Sequence, residues 1–75
     1  MQEVVLGTYQ HYKGKIYEVI GIARHSETLE EMVVYRALYE SPDFGENALW
    51  VRTKSMFCEL VTVDGKRVPR FTYIG

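Results

Sequence analysis

Val33, Tyr35, Ala37 and Tyr39 recur at every second position in the middle of the chain, with Val34, Arg36 and Leu38 between them. A period of two is that of a pleated strand with one buried face, because successive side chains point to opposite sides. A helix is the competing reading: Thr28 followed by Glu31 fits a capping box, and Leu29, Met32, Val33 and Ala37 would share one helical face. The β-branched and aromatic run Met32-Val33-Val34-Tyr35 outweighs it, since such side chains lose rotamer freedom in a helix and fit a sheet. A continuous helix over residues 28–40 would overturn everything that follows.

The rest of the chain is punctuated in the same way. A first strand runs around Leu6 to Tyr12 and ends at Lys13-Gly14-Lys15, where Gly14 suits a tight turn. A second runs from Ile16 to about Arg24, and the glycine in Ile20-Gly21-Ile22 predicts a bulge that bends it. His25 to Glu31 is a polar connection, Ser41 to Asn47 a surface loop, and Ala48 to Arg52 a fourth strand carrying Trp50. Thr53 to Phe57 reads as one helical turn that plugs an end of the structure with Met56 and Phe57. Glu59 to Val63, Asp64-Gly65 and Lys66 onward form a hairpin, and Pro69 makes the last strand an edge or breaks it. These five or six short antiparallel strands and one short helical turn predict an all-β fold, a strongly bent sheet closing toward a small SH3-like barrel or roll. Closure would also hide edges that so short a sheet can hardly protect otherwise.

With 75 residues the expectation is a single domain over 1–75 with a shallow core, burying about 60–65% of its unfolded surface. Aromatic residues make up 13% of the chain, and each ring can remove roughly 150–250 Å² from water, which a thin sheet needs. The net charge of −1 gives no long-range pull on nucleic acid or anionic membranes. The one cysteine, Cys58, excludes an internal disulfide and fits a reducing cytoplasm. Met1-Gln2-Glu3 lacks the basic start of a secretory leader, and no apolar run approaches the ~20 residues of a membrane span. The expected location is therefore cytoplasmic.

Laid out in this way, the chain resembles the bacterial family catalogued as domain of unknown function 1653, through Gly7-x-Tyr9-x-His11-Tyr12-x-Gly14-x-x-Tyr17 and Ala23-x-His25-x-Glu27-Thr28. The series continues in Val33-Val34-Tyr35, Leu38-Tyr39, Leu49-Trp50-Val51-Arg52, Met56-Phe57 and Val68-Pro69-Arg70-Phe71. The resemblance implies a compact SH3-type roll and carries no established activity. Thr53 departs from it, standing where the resemblance leads one to expect a proline.

Candidate chemistry is sparse. His11, His25 and Cys58 lack metal-ligand spacing, and no metal or other cofactor is expected. His25-Ser26-Glu27 has the residue types of a nucleophilic triad, but neighbours on an extended chain point to opposite faces. A hydrogen-bonded turn with Ser26 and Thr28 satisfying backbone amides is the simpler reading, and no enzyme is expected. Tyr9, Tyr12, Trp50, Phe71 and Tyr73 mixed with His11, Lys13, Lys15, Arg52, Arg67 and Arg70 suit a ligand groove, if the rings are not simply core. Arg52 and Arg70 have Glu18, Glu27 and Glu59 as competing structural partners. The expected function is a non-catalytic module binding a peptide or protein partner, with Tyr12, His25, Glu27, Trp50, Arg52 and Arg70 as the ligand-binding residues. Single-stranded nucleic acid on a strip of Lys13, Lys15, Arg67 and Arg70 is the alternative partner, and a homodimer is compatible with a thin core and with any sheet edge left open, because pairing would bury further apolar area.

Overall fold

Alternation of apolar and polar side chains produces strands wherever the sequence pattern calls for them. The computed structural model describes residues 4–75. Met1 to Glu3, where the reading of a missing leader falls, lie outside the described residues. Strand β1 (Gly7–His11) turns at Gly14, which has φ 107°, into β2 (Ile16–Arg24). β2 pairs with β3 (Glu31–Ala37), so the region with two readings is a strand. The register slips between Val19 and Gly21, the bulge that the glycine predicts. After the two-residue partners β4 (Glu40–Ser41) and β5 (Gly45–Glu46), β6 (Leu49–Thr53) pairs with β3.

The short helix α1 (Lys54–Phe57) follows at once. Thr53, the departure from the family pattern, caps it: its hydroxyl accepts from the Met56 N–H at 3.2 Å. β7 (Leu60–Val63) and β8 (Lys66–Pro69) form a ribbon whose turn residues Asp64 and Gly65 have φ 51° and 78°, as a type I′ turn requires. Pro69 ends β8, and β9 (Phe71–Tyr73) pairs with β1.

The main sheet has the order β6-β3-β2-β1-β9, all neighbours antiparallel. It does not close: β6 and β9 remain its two edges, so the expected progress toward a barrel stops at an open, bent sheet. A side chain does part of what backbone closure would have done. Register places Tyr9, Tyr17, Val19, Val33, Tyr35, Ala37 and Phe71 on one face, and α1 lowers Phe57 onto it. Phe57 stacks on Phe71 with ring centroids 4.2 Å apart and meets Tyr9 and Tyr35 edge-on. Phe57 is 3% exposed, whereas Met56, expected beside it in the plug, is 47% exposed. A four-residue helix presents only one of two adjacent side chains to the core, and here that residue is Phe57. No helix among the described residues is long and apolar enough to cross a membrane.

Candidate functional site

The face that carries the core continues past it toward β6. Trp50 stands opposite Tyr35 and Arg52 opposite Val33, and directly opposed residues of an antiparallel pair project to the same side. Tyr17, Tyr35, Trp50 and Arg52 thereby line a cavity of about 180 Å³. Pockets for whole small molecules usually span about 300–1,000 Å³, so this one has room for a single side chain.

Its walls are held by specific contacts. The Arg52 Nε–H donates to the Tyr35 hydroxyl at 3.4 Å, and the Tyr17 and Tyr39 hydroxyls share a hydrogen bond of 2.7 Å. Lys15 Nζ lies 4.7 Å from the centre of the Tyr39 ring. Phe44, reaching over from the loop between β4 and β5, meets Trp50 edge-on at 5.1 Å. Burial, reinforced by the bond to Tyr39, raises the Tyr17 phenol well above its ordinary range, so it stays a neutral hydrogen-bonding group.

His11 stands beside this wall, its ring 6.3 Å from that of Tyr17 and 4.5 Å from that of Tyr12. Burial first, then the positive charges of Arg70, Arg52 and Lys13, lower its pKa. Its Nδ1 accepts the Lys13 N–H at 3.2 Å, which also favours the neutral ring. Among the described residues the ion pairs are Glu18 with Arg36 (3.4 Å), Glu31 with Lys54 (3.7 Å) and Glu59 with Arg70 (2.8 Å). None of them takes Arg52.

The expected site residues separate into three places. Trp50 and Arg52 meet in the cavity. Tyr12 and Arg70 sit at its β1 side near His11, joined by a backbone bond from the Tyr12 N–H to the Arg70 carbonyl at 2.9 Å. Arg70 is held there by Glu59, and its buried Nε finds no acceptor among the described residues. His25 and Glu27 lie in the β2–β3 turn, beyond the last strand pair, Arg24 with Glu31. There His25 Nδ1 accepts the N–H groups of Glu27 (3.1 Å) and Thr28 (3.3 Å), and the Thr28 hydroxyl accepts that of Glu30 (3.2 Å). The turn is hydrogen-bonded as the simpler reading expects and Thr28 plays its part, but His25 rather than Ser26 is the second acceptor of backbone amides.

Tyr9 and Phe71, possible groove rings by sequence, are core. Tyr17 and Tyr35, the latter also part of the core, line the cavity in their place, brought beside Trp50 by the nonlocal register of β2, β3 and β6, while Tyr39 and Phe44 reach it from outside those strands.

A larger cavity of about 270 Å³ lies under α1, among Val4, Tyr9, Phe57, Cys58, Leu60, Pro69 and Phe71. Its polar groups are spoken for. The Tyr9 hydroxyl donates to the Val5 carbonyl at 2.7 Å and accepts the Val5 N–H at 3.0 Å, while burial pushes the Cys58 thiol pKa up. No three His, Cys, Asp or Glu side chains gather as a metal site would require, among the described residues. The cavity at Trp50 and Arg52 thus offers a cation, hydroxyls and ring faces, which are groups for binding.

The model of a family described as proteins of unknown function (DUF1653) matches residues 7–73. The crystal structure of a DUF1653 protein from Bordetella bronchiseptica is similar at a TM-score of 0.87 and 37% identity, covering 100% of this chain and 92% of that one. No curated protein matches the chain. From β1 through β9 the family pattern and the fold coincide, and the chain belongs to the DUF1653 family of proteins of unknown function.

Proposed function

We propose that the domain is a non-catalytic binding module of the cytoplasm that recognises an extended segment of a partner protein. One acidic side chain of that segment enters the cavity of Tyr17, Tyr35, Trp50 and Arg52, and its neighbours lie across Phe44 and Tyr39. The observation that carries this reading is the Arg52 guanidinium, hydrogen-bonded to Tyr35 in a ring-lined cavity and free of any carboxylate among the described residues. A planar guanidinium matches a carboxylate in two-pronged geometry, and nearby rings exclude water from the pair. The bent sheet covered by α1 supports reading the fold as an SH3-like roll, a scaffold size at which peptides bind in aromatic-lined grooves.

Nucleic acid is the second reading, favoured by the charges of Lys13, Arg52 and Arg70 around His11 beside stacking rings. Against it stand the net charge of −1 and the engagement of Arg70 by Glu59. Selection from a displayed peptide library separates the two. The expected result is enrichment of segments pairing Asp or Glu with an aromatic residue or proline, and loss of at least about tenfold in capture by Arg52→Glu. Capture that Arg52→Glu does not weaken, or variants that merely unfold, would remove the peptide reading. Salt-sensitive binding of single-stranded oligonucleotides by a domain that enriches no peptide would put the second reading in its place.

A further inference from the structure

We propose that β6 is a pairing edge for a second copy of this chain, joining two sheets through a two-fold axis at Val51. The Ala37 N–H donates to the Ala48 carbonyl at 2.9 Å, just ahead of β6. Antiparallel ladders alternate bonded and non-bonded pairs, so Tyr35 with Trp50 and Val33 with Arg52 are bonded pairs. Leu49 and Val51 are then non-bonded toward β3, and their N–H and C=O groups point outward from the sheet. β6 is an edge in the strand order, so those groups face an open side.

Sheet edges are ordinarily blunted by lysine, proline, a bulge or a very short strand. β9, the other edge, has three residues and follows directly on Pro69 and Arg70. β6 has five residues in regular register, no proline or lysine, and a single charge, Arg52, which faces the cavity. On its other face Leu49 and Val51 are 62% and 60% exposed.

The segment Leu49-Trp50-Val51-Arg52-Thr53 is complementary to itself when run antiparallel about Val51. Val51 meets its counterpart in a bonded pair, and Leu49 meets Thr53 of the second copy. Trp50 meets Arg52 of the second copy twice, in close non-bonded pairs with Cα atoms about 4.5 Å apart. Tryptophan is the ring on which a guanidinium stacks best, and the carboxylate-free Arg52 supplies one from each side. Stacking uses the face of the guanidinium and leaves its N–H edge for the cavity. The apolar residues on the opposite face become one stripe across the axis. Five residues a side make a small interface, below about 1,200 Å², so the dimer is weak and depends on concentration.

Sedimentation equilibrium of the whole chain over a wide concentration range tests this, with amide hydrogen exchange read in parallel. Mass should rise toward twice that of the chain, and the Leu49 and Val51 amides should gain protection with concentration, while those of Trp50 and Arg52 are protected throughout. Val51→Lys sets like charges opposite each other on an exposed position and should weaken association at least about tenfold, whereas Val51→Thr should keep it. A chain that stays monomeric with freely exchanging Leu49 and Val51 amides overturns the proposal and leaves the edge to a strand of another protein. A dimer indifferent to Val51→Lys overturns it too, by placing the contact elsewhere.

Discussion

His11 couples the candidate site to the stability of the fold. Its folded pKa lies below the ordinary 6.5 because burial and then Arg70, Arg52 and Lys13 oppose a further charge. Well above 6.5 the ring is neutral in both folded and unfolded chains and contributes no pH dependence. As the pH falls through that value the unfolded chain takes up the proton first, so stability declines on acidification until the folded state titrates as well. His11→Asn keeps an acceptor for the Lys13 N–H and removes the titration. Chemical denaturation at a series of pH values should show a shallower loss below about 6.5 for the variant than for the parent. Parallel curves would contradict the assigned environment. Residue by residue, the sequence separated some roles well: the bulge at Gly21 and the turn at Asp64-Gly65 depend on local backbone chemistry and were legible. Whether a given ring is wall or core was not, because that depends on which strand lies opposite.

At the scale of elements, α1 shows how much a single turn can carry. Its four residues bring one ring, Phe57, against Tyr9, Tyr35 and Phe71, filling space that an unclosed sheet leaves over its core. Phe57→Ala should cost about 3–5 kcal/mol, the range for truncating a buried aromatic. A 75-residue chain has roughly 4–11 kcal/mol in total, so the variant should be marginal or unfolded at ambient temperature. Met56→Ala, one residue earlier and half exposed, should stay within about 0.5 kcal/mol of the parent. Urea denaturation of both variants checks the contrast, and equal losses would mean that α1 docks differently. Strand positions were read closely from the period-two pattern, with β2 matching its expected span from Ile16 to Arg24. Closure was not readable. It depends on whether the two outer strands reach each other, and the break at Pro69 and Arg70 leaves β9 only three residues long.

The whole molecule arranges its polar capacity unevenly. The β2–β3 turn consumes His25 and Thr28 in backbone hydrogen bonds, and Arg70 is consumed by Glu59, while Arg52 keeps its charge uncommitted at a ring-lined hollow. Of the six residues expected at a site, Trp50 and Arg52 converge because they are two apart on one strand, a relation visible in sequence. His25 and Glu27 joined that expectation through their residue types alone, and the fold leaves them in the β2–β3 turn, outside the cavity lining. Entry of a ligand side chain between Tyr17, Tyr35, Trp50 and Arg52 is tested by NMR chemical-shift mapping with an acidic peptide recovered by selection. The Trp50 indole N–H, the Arg52 Nε–H and the Tyr17 and Tyr35 rings should shift together as the peptide is added, with His25 and Glu27 unmoved. Shifts gathered at the β2–β3 turn, or at the cavity under α1, would contradict it.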